Sequence, residues 1–139
     1  NRNNHKNWKG FEEISHGLWS KIIRSATLRD FEFSITIEFA WKLFIKQGRK
    51  CALSGEPIWF AKTNAENDAG GRTASIDRID STKGYTEDNV QWVHKTVNAL
   101  KMDHSEDEML EWYTKILAYT NKVDENDLRK FLQTAKENK

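Results

Sequence analysis

The sequence predicts a small α+β domain: two strands and a short helix in the middle of the chain, flanked by helices on both sides. Three observations predict it. Residues 74–79 alternate small or apolar side chains with polar ones at a period of two, as a half-buried strand does. After a break at Ser81, Thr82, Lys83 and Gly84, a second strand begins with Val90, Trp92 and Val93. From His94 onward, Val97, Leu100 and Met102 fall at helical spacing. Before and after this stretch, apolar residues recur at helical spacing and behind helix-starting caps.

Taken in order, Asn1 to Gly10 is polar and basic without periodicity, which reads as a frayed terminus or as an arm that meets phosphates. The first helix is expected from Ser15, its N-cap, to Leu28, with Ile14, Leu18, Ile22, Ile23 and Ala26 on one face and Trp19 beside it. A second helix is expected from Thr36 to Gly48, burying Ile37, Ala40, Trp41, Phe44 and Ile45. Lys42, Lys46, Arg49 and Lys50 line its exposed side and exit, either as a solvated face or as a surface for a polyanion. Residues 50–58 read as a tight knuckle leading into a short hairpin, with Leu53, Ile58 and Trp59 packed beneath it. Residues 63–72 are a loop by composition, with Gly70 and Gly71 as its hinge, solvated or serving as a flap. In the central stretch, Gly84 is expected to supply a positive φ. Ser105 with Glu108 is a capping box for a helix whose apolar face is Met109, Leu110, Tyr113, Ile116 and Leu117, with Trp112 adjoining. A last helix from about Glu125 carries Leu128, Phe131, Leu132 and Ala135. Both are expected to cover the back of the central motif.

A chain of 139 residues is of single-domain size. It divides into a basic helical part (1–50), a central core (51–103) and C-terminal helices (104–139). Six Trp and seven Phe provide bulk for a core that is otherwise poor in aliphatic side chains. The net charge of +1 does not by itself announce a nucleic-acid binder. Its distribution says more: residues 1–50 carry ten Lys and Arg against five Asp and Glu, while both later segments have an acidic excess. No apolar run approaches the length of a membrane span, and no signal-peptide core is present. One cysteine rules out an internal disulfide and suits a reducing, cytoplasmic setting. The chain begins with Asn rather than Met, which leaves room for an upstream segment.

The central stretch places Asp77 at the end of the first strand, opposite Asn98 on the helix, with Asn89 at the loop exit. A carboxylate and an amide oxygen converging on one point suit a hard divalent cation. On these residues the stretch resembles the ββα-metal motif of HNH endonucleases, in the variant common among bacteriophage proteins. Ile76-Asp77-Arg78-Ile79 stands where the family has its Asp-His pair, Asp88 to Val93 looks like the loop Asn and second strand, and Asn98-Ala99-Leu100-Lys101 is similar to the helical Asn with its trailing Lys. The motif covers about a fifth of the chain. Arg78 departs from the usual catalytic His.

The resemblance implies a hydrolase of DNA phosphodiester bonds inside a bacterial or phage-infected cell. One Mg²⁺ or Mn²⁺ would be held by Asp77 and Asn98, with Asn89 bracing the loop or orienting the catalytic base. Lys101 would neutralise a phosphate, and Arg78, a guanidinium that is always charged, would clamp one. The water-activating group is left between Asp80, His94 and the metal-bound water itself. Asp80 sits at the offset where the Asp-Arg-x-His motif of a related ββα-metal group has its catalytic His. The imidazole of His94 is the better acceptor near neutrality. Relatives bind a structural zinc at positions matching Cys51, Ser54, His94 and Val97; only two of these are able to ligate, so no structural zinc is expected and Cys51 reads as a small buried hydrophobe. The same residues fit an HNH-derived module that grips DNA without cutting it.

Overall fold

A computed structural model describes residues 10–61 and 71–138, which form five helices and a two-stranded antiparallel sheet, a mixed α+β architecture. The N-terminal segment and most of the 63–72 loop lie outside the described residues. The chain divides into two compact units, residues 1–102 and 103–139.

The first unit begins with α1 (His16–Leu28) and α2 (Ile37–Lys46). Each starts where a hydroxyl side chain satisfies a free backbone N–H of the first turn: Ser15 accepts from Leu18 N, and Thr36 from Phe39 N. Helix α1 buries Trp19, Ile22 and Ala26; α2 buries Ile37, Ala40 and Phe44. Ile45 lies outside the buried set, 45% exposed, because it falls about 100° round the helix from the line of Ile37, Ala40 and Phe44. Strand β1 (Ala74–Arg78) pairs with β2 (Val90–His94) in a register that sets Asp77 opposite Gln91 and Ser75 opposite Val93. Ile79, expected in the strand, lies beyond its end and is exposed. Helix α3 (Lys95–Lys101) follows β2 without a loop.

Trp92 is the hub of the packing. It is fully buried, meets Phe44 and Phe60 edge-on, and donates its indole N–H to Ala40 O at 2.8 Å. The side-chain amide of Gln47 extends the sheet pattern onto β2, accepting from Trp92 N and donating to Trp92 O, both at 2.9 Å. The exit of α2 is therefore fastened to the strand that leads into α3. The knuckle forms as predicted: Cys51 N donates to Glu56 O, Gly55 N to Cys51 O, and Gly55 takes a φ of +75° that only glycine adopts without cost. Ile58 is buried beneath it and Leu53 is half-buried, but Trp59 is 50% exposed, since its indole reaches out to the carbonyl of Gly71.

The loop between the strands docks on residues 31–34. Tyr85 N donates to Glu32 O at 2.8 Å and Ser34 N to Tyr85 O at 3.0 Å. This explains Gly84 differently from the turn argument. Its φ is not positive; instead a Cβ there would stand 2.5 Å from Glu32 O, so the two backbones touch only because the side chain is missing.

The second unit is a helical pair, α4 (Glu106–Thr120) and α5 (Glu125–Glu137), capped by Ser105 and Asp124. Arg129 joins the two helices, donating to both carboxylate oxygens of Glu111 and to Glu125. These bonds hold Glu111 and Glu125 below the usual Glu range and raise Arg129. Met109 and Ala118 are buried, whereas Leu110, Trp112, Ile116, Leu117 and Phe131 are more than half exposed or close to it.

Candidate functional site

The end of β1, the inter-strand loop and α3 bring most of the predicted site residues into one small region, each already engaged. Asp77 is 5% exposed. Its carboxylate takes Lys101 Nζ on both oxygens, at 2.9 and 2.7 Å, and Gln91 Nε2 at 2.9 Å from across the sheet. Lys101 is completely buried and also donates to Arg78 O at 2.7 Å and Ile79 O at 3.3 Å. Its ammonium thus sits among four oxygens at the point where β1 ends. A lysine in this position does not face a phosphate. The short helix aims it inward, and Met102, at a φ of +52°, turns the chain away immediately after it.

Asn98 lies one helical turn before Lys101. Its amide donates to Ser75 Oγ at 2.7 Å and Ile76 O at 3.4 Å, clamping α3 onto β1. The expected Asp77–Asn98 pair around one vacant cation position is replaced by two separate arrangements: Asp77 with Lys101, and Asn98 with Ser75. In this arrangement the donor set does not fit a divalent ion. Mg²⁺ needs near-octahedral oxygen ligands at about 2.0–2.1 Å, and the one carboxylate here is already neutralised by an ammonium.

Arg78 is 9% exposed. Its guanidinium lies 3.8 Å over the Phe31 ring and donates to Ser81 O and to Lys83 O, the latter at 3.0 Å. It therefore ties the inter-strand loop to the 31–34 segment and does not reach out as a phosphate clamp. Asn89 is the loop's internal brace. It accepts from Asp80 N at 2.8 Å and donates to Asp80 O and Gly84 O at 3.0 and 2.9 Å.

Both candidate bases are held by local hydrogen bonds. Asp80 accepts from the hydroxyl and the backbone N–H of Thr82 on one oxygen. Those two bonds, with smaller help from Lys83 and Arg78, hold it below the ordinary Asp range, which makes it a weaker proton acceptor. His94 is the N-cap of α3, with Nδ1 accepting from Thr96 N at 3.0 Å. Beside it, the buried Cys51 is pushed up by burial. That effect is outweighed by bonds from the Ser54 side chain and from the backbone of His94, Ser54 and Leu53, which leave the thiol below its usual value. Cys51, Ser54 and His94 stay together as a hydrogen-bonded knuckle.

The basic residues of the α2 exit are exposed: Lys42, Lys46, Arg49 and Lys50. Arg49 is committed to a two-pronged pair with Glu13 at 2.9 and 3.1 Å. Lys83 in the inter-strand loop and Lys95 at the start of α3 are exposed as well. Four partners carry no sequence signal of their own: Gln91, Gln47, Ser75 and Phe31. Of these, only Gln91 follows from strand register once the loop length is known.

The chain matches no protein family, no curated protein and no solved structure. The HNH resemblance rests on the motif residues alone. Among the described residues, no helix is long and apolar enough to cross a membrane.

Proposed function

We propose that this chain is a DNA-binding domain of HNH type, in which the strand–loop–strand–helix unit serves as a scaffold and does not cut. The observation that carries this reading is the division of labour among the charged residues. Three of those the resemblance assigns to the site are turned inward, Asp77 and Lys101 on each other and Arg78 on Phe31 and the loop carbonyls, while Asp80 stays half-buried on Thr82. Three lysines outside the motif stay at the surface. Lys42, Lys46 and Lys50 belong to a helix and its exit that Gln47 fastens to β2, directly ahead of Lys95. A rigid support carrying several exposed lysines suits the regular charge of a phosphate backbone, and such contacts fix position without reading bases.

Fluorescence anisotropy of a labelled duplex, in EDTA and across a salt series, tests this. The expected result is binding without divalent ions whose logarithm falls linearly with the logarithm of salt concentration. Changing Lys42, Lys46 and Lys50 together to Ser is expected to flatten that slope by roughly 2–3, at about 0.9 per phosphate contact. No binding at low salt, or an unchanged slope in the triple variant, contradicts the reading.

A metal-dependent DNA endonuclease is the second reading. It is favoured by the order in which Asp77, Asn89 and Asn98 occur along a strand, loop, strand and helix. It requires Asp77 to give up Lys101.

A further inference from the structure

We infer that the Lys101 ammonium is the resident cation of this site, standing where the HNH resemblance implies a divalent ion, and that the native chain neither needs nor accepts Mg²⁺ or Mn²⁺ there. The inference holds whether or not the chain binds DNA.

An ammonium has three N–H donors and no acceptor, so it needs oxygens around it in the way a metal does, but at hydrogen-bond distance. Lys101 Nζ has four: both oxygens of Asp77 and the carbonyls of Arg78 and Ile79, between 2.7 and 3.3 Å away. Two of these are backbone carbonyls at the end of β1, that of Arg78 in the last pair of the ladder and that of Ile79 just beyond it. Here the lysine satisfies them and closes the strand end against α3. The charges balance locally, one carboxylate against one ammonium, both nearly or completely removed from water. A divalent ion entering this cage would have to expel a completely buried side chain, and Asp77 alone would then offset two positive charges. Asn98 would also have to break from Ser75 and Ile76. Lys101 does structurally what a bound metal would do, holding strand to helix with no dependence on ion supply.

Two measurements on the native protein decide the matter. In a Mn²⁺ titration followed by electron paramagnetic resonance, the free-ion signal is expected to rise with no stoichiometric loss, and the melting temperature is expected to be the same in EDTA and in Mg²⁺. One tightly bound Mn²⁺ per chain that disappears in Asp77→Asn would overturn the inference, as would a melting temperature raised by Mg²⁺. Lys101→Met, which keeps the length of the side chain but not its charge, is expected to melt roughly 10 °C or more below the native protein in either buffer. A variant of native stability would show that the ammonium is not the tie proposed. Should Lys101→Met fail to fold, the native Mn²⁺ and melting experiments still decide the question.

Discussion

The side chain of Asn89 and the backbone of Asp80 bond each other in both directions: Asn89 Oδ1 accepts from Asp80 N at 2.8 Å, and Asn89 Nδ2 donates to Asp80 O at 3.0 Å. The amide copies the pairing of a neighbouring strand just where β1 has run out of one. A second Nδ2 bond, to Gly84 O, fixes the far side of the loop. Because Asn89 is only 5% exposed, water is a poor substitute for these bonds.

Asn89→Ala is therefore expected to cost about 2–3 kcal/mol, the penalty for leaving buried backbone groups unpaired. Urea unfolding measures this. A loss below about 0.5 kcal/mol, the size of an ordinary surface substitution, would contradict the bracing role.

Gly84 and Gly55 make a paired comparison. An Ala side chain at 84 would press on the backbone of Glu32 and force apart the bonds joining Tyr85 to Glu32 and Ser34, an overpacking loss of about 1–3 kcal/mol. At Gly55 nothing lies within 4 Å, so Ala meets only the strain of a positive φ, about 1–2 kcal/mol. Gly84→Ala is expected to be the more damaging and to loosen the inter-strand loop, seen as faster amide exchange at Tyr85. The reverse order would contradict the close-approach argument.

Acid is expected to loosen the α4–α5 pair through Arg129. Its hydrogen bonds hold Glu111 and Glu125 below the ordinary Glu range. A depressed carboxylate contributes stability that is present above its unfolded value and is lost as pH falls through its folded value. Helical signal in far-ultraviolet circular dichroism should therefore drop on acidification below the ordinary Glu range, and Arg129→Gln should remove that step. An identical acid profile in the variant would contradict the linkage.

Much of the fold was legible because its signals are local. Ser15, Thr36 and Ser105 each cap the helix they announce, the period-two stretch became β1, and the strand begun by Val90, Trp92 and Val93 became β2. The site was legible in position but not in chemistry. A lysine in the last turn of a helix ordinarily projects into water, and only the docking of α3 on β1 sends Lys101 inward. Arg78 finds Phe31 far back in the chain, and Gly84 finds Glu32, through packing that no short-range pattern encodes. The positions that resemble a metal site thus turned out to be filled by partners from separate elements.

Supercoiled plasmid incubated with the native chain in Mg²⁺ or Mn²⁺, with an EDTA control, tests most directly whether this closed unit binds without cutting. The expected outcome is retarded but unnicked plasmid, equally in all three buffers. Nicked or linear product that appears with the metal, vanishes with EDTA and is lost in Asp77→Ala would contradict it and establish the endonuclease instead.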